Sequence, residues 1–509
     1  MAFLKAGSSS TVNLALLLWC SSILSTVLGY DASVMSGLNI LPSYTDYFHL
    51  NTATFALQSS IGWAGTAAAG IFYGQITDWL GRKKAMWMSA VITLVGVILQ
   101  AAAQNVGMFM TARFIVGLGN GAVYLCGPVY LAETLTLEWR GVGLGIFMAF
   151  FYVGGLLAAG ITYGTASMSS TWAWRLPSAL QGVLTIISVV VLPLLPESPR
   201  WLIYRGRHEE ALSIIAATYA NGNRENPVVL TTYKEICDTL EHEVDDGQHL
   251  SPFELLKGKQ NLRRLMLCVS VAVITMVSGN NIISFYLGIM LDNAGITNTT
   301  TQLQINIILN AWCLLCALAG TFSLDKAGRK PLAIASCVAM TIFIFLVGAL
   351  TKVYGSSSNQ SGIYGTVALI FLFQGAYSVA WTPLAMLYPP EVLNYSVRSS
   401  GMGVYTFLTN GFGLMVTMSF PYALDAIGWK TYMINGAWDV LQIVFVAVFW
   451  VETKGRTLEE IDAIFGASHI MGVPQLREVM EGVEPGLTLR DGKEVVAAET
   501  SLTASPSKV

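Results

Sequence analysis

The chain has 509 residues, of which 54% are hydrophobic and 12% are charged, and its formal net charge is −3. Its mean hydropathy is +0.57. Soluble domains carry about twice this share of charged residues. The composition therefore excludes an ordinary soluble enzyme or nucleic-acid-binding protein and indicates a protein that lies mostly in the bilayer.

Twelve apolar runs of about 20 residues follow one another, each long enough to cross a hydrocarbon core of roughly 30 Å. In chain order they lie near residues 13–35, 57–79, 85–103, 108–131, 142–164, 175–195, 266–291, 303–323, 331–351, 363–389, 398–424 and 430–450. The sequence thus predicts an all-α membrane protein with twelve transmembrane helices.

These runs predict two halves of six helices joined by a polar linker. The predicted divisions are a cytoplasmic N-terminus (1–12), a first half (13–199), a cytoplasmic linker with short helices (200–262), a second half (263–452) and a cytoplasmic tail (453–509). The tail loses hydrophobic periodicity, and we expect it to be disordered after about residue 465.

The loop cations predict the orientation, because Lys and Arg accumulate in cytoplasmic loops. With both termini in the cytosol, only Arg175, Lys352 and Lys430 of the cations near the spans face outside. We expect this topology, in the plasma membrane. The sequons at Asn298 and Asn359 then lie outside, where N-glycosylation is possible.

Several charged residues occur twice, at matching positions of the two halves. The repeated patterns are Asp78-x2-Gly81-Arg82-Lys83 with Asp325-x2-Gly328-Arg329-Lys330, Glu133-x6-Arg140 with Glu391-x6-Arg398, and Glu197-Ser-Pro-Arg200 with Glu452-Thr-Lys454-Gly455. A repeat of about half the chain indicates two similar halves rather than an array of small modules.

We interpret these charges as a cytoplasmic gate, since acids and bases at helix ends can pair across two halves only while that side is closed. Each exposed pair contributes about 0–1 kcal/mol, but a network can bias two states that differ by a few kcal/mol. An alternative is that the charges only set the topology. The candidate gate residues are Asp78, Arg82, Glu133, Arg140, Glu197, Arg200, Asp325, Arg329, Glu391, Arg398 and Glu452.

Three ionisable residues lie deeper in the spans. Asp31 is in the first span and Arg113 in the fourth, and because an unpaired charge at either depth is costly, we expect the two to pair. Asp439 is in the last span, with Gln442 one turn on. It either pairs with a polar residue of a neighbouring helix or faces the cytoplasmic cavity.

Over residues 10–465 the chain resembles sugar porters of the major facilitator superfamily, most of all fungal lactose-permease-like and hexose-transporter-like members. The resemblance rests on Gly29-Tyr30-Asp31, Gly74-x3-Asp78-x2-Gly81-Arg82-Lys83, Arg113-x3-Gly117-x-Gly119, Pro128-x-Tyr130-x2-Glu133, Arg140-Gly141, Pro196-Glu-Ser-Pro-Arg200, Ser278-Gly279-Asn280-Asn281, Asp325-x2-Gly328-Arg329-Lys330, Trp381-Thr382-Pro383-Leu384 and Glu452-Thr-Lys454-Gly455-Arg456. It implies the two-half fold of that superfamily.

The resemblance also implies a proton-coupling pair. In proton-coupled sugar porters, an aspartate that matches Asp31 pairs with an arginine that matches Arg113, and protonation of the acid releases the pair. Because arginine keeps its proton, Asp31 is the expected carrier. The alternative is a purely structural ion pair between two helices.

The expected substrate pocket departs from the family in part. Asn281, preceded by Asn280, and Asn410 match amides that bind the hydroxyl groups of a sugar in the family. Methionines occupy three positions where hexose porters have polar or aromatic residues, and Trp381 is the nearest candidate ring; the three are Met148, Met276 and Met386. Methionine is apolar and adaptable, so a less hydroxylated or larger solute is expected. Alternatively, the alignment slips by one turn and the methionines only pack between helices.

The sequence therefore predicts a secondary active transporter that couples protons to the movement of a sugar or sugar-like solute by alternating access. A transporter of a non-sugar metabolite, acting in either direction, and a nutrient sensor that does not transport are the alternatives. Neither a metal-spaced His/Cys cluster nor a phosphate-binding loop occurs. We expect no cofactor and no enzymatic activity, and a protein that functions as a monomer in the bilayer.

Overall fold

The computed structural model describes residues 9–245, 256, 258–293, 295–354, 359–456, 458–465, 479, 487–490 and 494–497. Within these residues the chain is almost entirely helical. The helices of the first half are α1 (Ser10–Leu38), α2 (Pro42–Thr45), α3 (Thr52–Leu80), α4 (Arg82–Ala101), α5 (Val106–Thr134), α6 (Leu137–Thr165) and α7 (Trp172–Val191), followed by a 3₁₀ turn (Leu192–Leu194). The linker forms α8 (Pro199–Tyr204), α9 (His208–Tyr219) and α10 (Pro227–Asp245).

The second half repeats this arrangement, except that its first span is broken at Ser278-Gly279. Its helices are α11 (Lys259–Val277), α12 (Asn280–Asn293), α13 (Thr299–Ala327), α14 (Arg329–Tyr354), α15 (Gln360–Val392), α16 (Tyr395–Ile427) and α17 (Lys430–Phe449), and α18 (Leu458–Ile464) follows. Two strands, β1 (Leu487–Arg490) and β2 (Glu494–Ala497), pair antiparallel.

Ten segments of the described chain are long and apolar enough to span a membrane, with α11 and α12 counted as one. The other two predicted spans are occupied by α3 and α16, which have 29 and 33 residues. Polar and small residues such as Ser59, Thr66 and Thr409 lower the hydropathy of these two helices, because both line the interface between the halves.

The polarity of α7 is inverted relative to a helix of a soluble protein. It buries Gln181 and Thr185, whereas Val183 and Ile186 are 51% and 50% exposed. A helix in water would expose the polar face and bury the apolar one. The apolar outer face is therefore satisfied by lipid, and the polar inner face is free to build a site.

The two halves pack most closely where α3 crosses α16. Gly70 and Gly403 face each other there: a Cβ atom at Gly70 would lie 2.6 Å from the backbone nitrogen of Phe407 and 2.7 Å from the carbonyl oxygen of Gly403. Small residues allow helices in a membrane to approach this closely. The halves thus touch backbone to backbone at the middle of the interface.

The linker helices form a small core of their own. Trp201, Leu202, Ile215 and Leu230 are buried in it, and Leu487 of β1 packs against it. We call the end of the bundle that carries α8–α10 the linker end. The hairpin β1–β2 differs from the disorder expected after about residue 465; the rest of that tail lies outside the described residues, apart from Val479.

Asparagine side chains cap four helices that begin at the opposite end of the bundle. The side-chain oxygens of Asn51, Asn105, Asn298 and Asn359 accept backbone N–H donors in the first turns of α3, α5, α13 and α15. Such caps satisfy donors that a helix start leaves unpaired. Asn298 and Asn359, the two sequon residues, are exposed, and their capping atom is the oxygen rather than the nitrogen that would carry a glycan.

Candidate functional site

Asp31 and Arg113 are in contact inside the first half. Arg113 Nη1 forms an ion pair with Asp31 Oδ1, Asn120 Nδ2 donates to Asp31 Oδ2 at 3.0 Å, and Gln181 Nε2 donates to Asp31 Oδ1 at 3.0 Å. Asp31 is 8% exposed and Arg113 3%. We call these four residues the Asp31 cluster. It holds a carboxyl group between one cation and two amides, an arrangement that offsets the cost of burying a charge.

The Asp31 cluster borders a small cavity that adjoins a larger one. The small cavity is lined by Asp31, Arg113 and Asn120 among others. The larger one lies between the halves, and we call it the central cavity. The two cavities share five wall residues, which are Ala32, Trp63, Tyr124, Phe285 and Asn410. A change at Asp31 can therefore reach the central cavity through side chains that belong to both walls.

Six of the seven expected pocket residues line the central cavity. They are Met148 on α6, Met276 on α11, Asn280 and Asn281 on α12, Met386 on α15 and Asn410 on α16. All three methionines thus face the cavity, and the alternative in which they only pack between helices does not describe this structure. Their placement leaves part of the wall apolar.

Trp381 does not line the cavity, contrary to the expectation. Its side chain is fully buried, and its ring lies 5.6 Å from that of Trp450 in an edge-to-face contact. On α15 the residues that reach the cavity are Gln374, Tyr377, Thr382, Ala385 and Met386. Trp381 points to the other side of the helix, where it packs against the linker end of the second half.

Several wall residues were not predicted from the sequence. The aromatic ones are Trp63, Tyr124, Phe151, Tyr152, Phe285, Tyr377 and Tyr405, and the amide ones are Asn306, Asn310 and Gln374. Asn306 and Asn310 are four residues apart on α13, so they share one helix face. A pair of amides at this spacing within an apolar span is the signal that would have identified α13 as part of the wall.

Buried polar atoms of the central cavity lack partners within the described chain. They include Asn280 Oδ1, Asn306 Nδ2, Gln374 Oε1 and Asn410 Oδ1. An unsatisfied buried polar group costs about 1–3 kcal/mol. A ligand with hydroxyl groups, which both donate and accept, satisfies such a mixed set of donors and acceptors.

At the linker end of the first half, Glu197 binds the start of α4. Its carboxylate accepts the backbone N–H groups of Arg82 at 3.0 Å, Lys83 at 3.2 Å and Ser198 at 3.0 Å. Gly81, just before α4, has φ +92°, and a Cβ there would lie 2.5 Å from Glu197 Oε2. Burial raises the pKa of the Glu197 carboxyl, although the backbone donors act in the opposite direction. Negative charge at a helix start is favourable.

The second half repeats this contact. Glu452 accepts the backbone N–H groups of Arg329 and Lys330, both at 3.0 Å, and of Lys454 at 2.9 Å. Gly328 has φ +93° and lies against the same carboxylate. The repeated motif in the sequence thus forms the same contact, which we call the joint, in both halves. It links the start of α4 to the segment after α7, and the start of α14 to the segment after α17.

A second repeated contact joins an arginine to a buried glutamate. Arg82 Nε lies 3.1 Å from Glu133 Oε2, and Arg329 Nη2 lies 3.4 Å from Glu391 Oε1. Each glutamate also accepts a hydroxyl, from Ser198 at 2.5 Å and from Thr453 at 2.7 Å respectively. These contacts stay within one half, so they do not by themselves join the halves as the gate interpretation requires.

Two contacts of the repeated residues do cross between the halves at the linker end. Arg398 Nη1 of α16 lies 3.5 Å from Glu133 Oε1 of α5, and Arg140 Nη2 of α6 donates to the carbonyl oxygen of Arg456 at 2.7 Å. Arg140 and Arg398 are each the fourth residue of their helix. The two arginines occupy matching positions but have different partners, and both contacts join the halves at the linker end.

The remaining candidate gate residues take other places. Asp78 pairs with Arg82 within the first half, at 3.6 Å. Arg200 is buried near the start of α8, beside Glu133 and Arg140. Asp325 belongs to α13, and its side chain lies outside the described part.

Metal and disulfide chemistry have no site in the described chain. No group of three or more His, Cys, Asp or Glu side chains that could hold a metal ion occurs among the described residues. All seven cysteines are free, and six are buried. The site therefore consists of the Asp31 cluster, the central cavity and the contacts at the linker end.

Comparison with known proteins places this arrangement. The family model described as "Sugar (and other) transporter" matches residues 17–465. The chain is 29% identical to the MFS-type transporter oryC of Aspergillus oryzae, over 86% of this chain and 83% of the relative. It is also 29% identical to a high-affinity glucose transporter of Kluyveromyces lactis, over 86% of this chain and 82% of the relative.

The fold is that of a solved transporter. The proton:xylose symporter XylE, bound to 6-bromo-6-deoxy-D-glucose, superposes with a TM-score of 0.78 at 23% identity, over 90% of this chain and 100% of that chain. The predicted all-α fold of twelve helices in two halves is confirmed by this likeness.

Proposed function

The chain belongs to the sugar (and other) transporter family of the major facilitator superfamily, and on that premise we propose that it couples proton movement through Asp31 to transport of a sugar or sugar-like solute. Family membership makes it a membrane transporter rather than an enzyme. The observation that carries the proposal is the set of five wall residues shared by the small cavity at Asp31 and the central cavity.

Asp31 is the proton carrier in this proposal. Arg113 keeps its proton under all conditions in a protein, and Asn120 and Gln181 contribute amides that do not titrate. Protonation of Asp31 removes one charge of the ion pair and turns an acceptor of three donors into a group with a donor of its own. Tyr124 and Asn410 line the small cavity together with Asp31 and also line the central cavity, and in this proposal they transmit the change in charge to the bound solute.

The linker end supplies alternating access. Arg398 contacts Glu133 and Arg140 contacts the carbonyl of Arg456, and in this proposal these two contacts separate the central cavity from the side that carries α8–α10. Opening that side requires both contacts to break, while the joints within each half persist. Motion of two intact halves about a central site is the behaviour expected of a duplicated transporter.

The substrate class follows from the wall of the central cavity. Unpartnered amide atoms and several rings support a ligand with hydroxyl groups and a flat apolar face. Met148, Met276 and Met386 give the wall an apolar part that adapts its shape. We therefore expect the solute to be larger or less hydroxylated than glucose.

Orientation and location complete the proposal. The loop cations favour a multi-pass protein with both termini in the cytosol, which places the linker end on the cytoplasmic side. We propose that it functions as a monomer in the plasma membrane. Glycosidase treatment tests the topology. A loss of mass that disappears only when N298Q and N359Q are combined supports it. The topology is refuted if neither residue carries a glycan and a protease added outside cleaves the linker.

Uptake by reconstituted protein tests the coupling. Purified protein in liposomes is offered hexoses, pentoses, disaccharides and polyols with and without an inward proton gradient. We expect gradient-driven accumulation of at least one solute, lost in D31N although exchange without a gradient persists. D425N is the matched control, because Asp425 is an exposed carboxylate on the same bundle. Accumulation by D31N at the wild-type level refutes coupling through Asp31.

A ligand screen tests the substrate class separately. Solutes that bind the folded protein raise its melting temperature. We expect larger shifts for disaccharides or partly deoxygenated sugars than for glucose. A response to simple hexoses alone would refute the inference from the methionines.

A further inference from the structure

Asp439 is a second buried carboxyl group, in the second half. It lies at the middle of α17, is 1% exposed, and is absent from the wall of the central cavity. Its hydrogen-bond partner in the described chain is the side-chain amide of Asn435, one turn earlier on the same helix, with Nδ2 at 3.4 Å from Oδ1 and 3.3 Å from Oδ2. Within the described chain Asp439 thus has no hydrogen bond to a neighbouring helix, contrary to the first expectation, and it does not line the central cavity.

Asp439 occupies the position that Gln181 has in the first half. The helices α7 and α17 each have 20 residues, and Gln181 and Asp439 are each the tenth. In the first half the amide of Gln181 binds the carboxylate of Asp31 on α1. In the second half the acid is on the last helix, and the break between α11 and α12 carries amides, Asn280 and Asn281. The first half thus has its acid on α1 and an amide on α7, whereas the second half has its acid on α17 and amides at the start of α12.

The two sites differ in their charge balance. The carboxylate of Asp31 has a guanidinium beside it, whereas Asp439 forms no ion pair within the described chain. The helices packed against α17 are α11, α14 and α16. In their described parts, no charged side chain interacts electrostatically with the carboxyl group of Asp439. The titratable group that faces it is the thiol of Cys337 on α14. Gln442, three residues on, also gives it no hydrogen bond, because its Nε2 is unpartnered.

An ionised carboxylate in these surroundings is expensive. Burial of a charge in an apolar interior without a counter-ion costs far more than burial of the neutral acid, so the group takes up a proton. Within the described chain both contacts to the oxygens of Asp439 come from one neutral donor, Nδ2 of Asn435, at 3.3 and 3.4 Å, and this amide supplies no counter-charge.

A short path joins Asp439 to the central cavity. The amide of Asn435 lies against Gly279: a Cβ there would be 3.0 Å from Asn435 Nδ2. Gly279 has φ +90° at the break between α11 and α12. The next residue, Asn280, lines the central cavity, and its Oδ1 has no partner among the residues that the structure describes. A ligand that binds Asn280 therefore acts on the backbone that packs against the partner of Asp439.

We propose that Asp439 is a second proton-binding carboxyl group, protonated in this conformation, whose proton is exchanged as the break at Gly279 rearranges. It is the counterpart in the second half of the Asp31 site. Where the inference concerns transport, it rests on the proposed function; the protonation state of Asp439 does not.

Infrared spectroscopy tests the protonation state directly. The full-length protein in lipid nanodiscs is titrated with pH, and the carbonyl stretch of protonated carboxylic acids is followed in difference spectra. We expect a protonated-acid band at neutral pH in the wild type and in D31N, and its loss in D439N. The amide of D439N mimics the neutral acid, so the variant should fold with a melting temperature close to that of the wild type.

A second variant guards against misfolding. D439Q places at residue 439 the side chain that the first half has at Gln181, and it should remove the same band. If neither D439N nor D439Q removes a protonated-acid band that the wild type shows, Asp439 is ionised. That result would overturn the proposal. Disappearance of the band on addition of NaCl or KCl at fixed pH would overturn it as well, in favour of a bound alkali cation.

The transport arm uses the first solute that the liposome panel identifies. Exchange of that solute is measured against pH in the wild type, D439N and D31N. We expect D439N to shift the pH at which exchange is fastest. The maximal rate of exchange should change less. An unchanged profile would refute the link between Asp439 and transport. If no solute is transported, the proposed function fails while the infrared result still decides the protonation of Asp439.

Discussion

Replacement of Arg398 by Gln removes the guanidinium that joins the two halves at the linker end. Arg398 Nη1 lies 3.5 Å from Glu133 Oε1, and both side chains are almost fully buried, at 1% and 0% exposure. The substitution keeps a long polar side chain but loses the charge. We expect it to favour opening of the linker end.

The size of the effect follows from the distance and from the other partners of Glu133. At 3.5 Å and an effective dielectric constant of about 20, two unit charges attract each other by about 5 kcal/mol. That value is a ceiling, because Glu133 keeps Arg82 at 3.1 Å and the hydroxyl of Ser198. Contacts that share one network commonly couple by about 0.5–3 kcal/mol. We therefore expect a shift of about 1–2 kcal/mol, a factor of about 5–30 in the population of the open state.

Cys313 reports this opening, because it lines the central cavity and is 2% exposed. In a background with the other six cysteines replaced by alanine, a membrane-impermeant maleimide is added on the side of the linker end. The rate of labelling of Cys313 should rise about tenfold in R398Q, within the range calculated above.

R329Q is the matched control. Arg329 forms the equivalent pair with Glu391, at 3.4 Å, but within the second half. It should lower the melting temperature with little change in the labelling of Cys313. Equal labelling rates in R398Q, R329Q and the parent protein, or an equal rise in both variants, would refute the assignment of the gate to the contact across the halves.

Three further substitutions test other parts of the structure. G70L should lower the melting temperature, since overpacking against a backbone that cannot yield costs about 1–3 kcal/mol or more, whereas G160L, where nothing lies within 4 Å of a Cβ, should leave it unchanged. G328A should lower the free energy of unfolding by about 1–3 kcal/mol, because Gly328 has a positive φ and lies against the carboxylate of Glu452. G455A should lower it less, because Gly455 has a positive φ but lies in open space. Equal melting temperatures for the two variants would contradict this. M148Q adds an amide to the cavity wall and should tighten binding of hexoses about fivefold, from one added hydrogen bond of about 1 kcal/mol; unchanged affinity in calorimetry would refute the placement of Met148.

The sequence predicted the parts of the fold that depend on composition and on local pattern. The twelve spans follow from hydropathy, although α3 and α16 are only weakly apolar because they line the interface between the halves. The meeting of Asp31 with Arg113 follows from the cost of isolated charge in a membrane. The asparagine and methionine positions of the pocket are implied by the resemblance to sugar porters, and the structure places them in the wall of the central cavity.

What the sequence did not predict depends on helix rotation and on packing between distant segments. Trp381 is one residue from Thr382, yet only Thr382 lines the central cavity, and a motif alone does not give the rotation of the helix. Asn306 and Asn310 are visible in the sequence, but only the packing of α13 against α6 brings them to the cavity. The repeated glutamates were read as pairing with side chains, whereas Glu197 and Glu452 bind backbone.

The choice of backbone as the partner of Glu197 and Glu452 has a consequence for how the sequence can drift. A main-chain N–H is present at every residue except proline. Any other residue at position 83 or 330 therefore keeps the N–H group that binds the glutamate. The glutamates have no such freedom, because a shorter acid or an amide no longer offers the same charged acceptor. Each joint thus concentrates its mutational sensitivity in one residue, and saturation mutagenesis should find tolerance at Lys83 and Lys330 beside intolerance at the two glutamates.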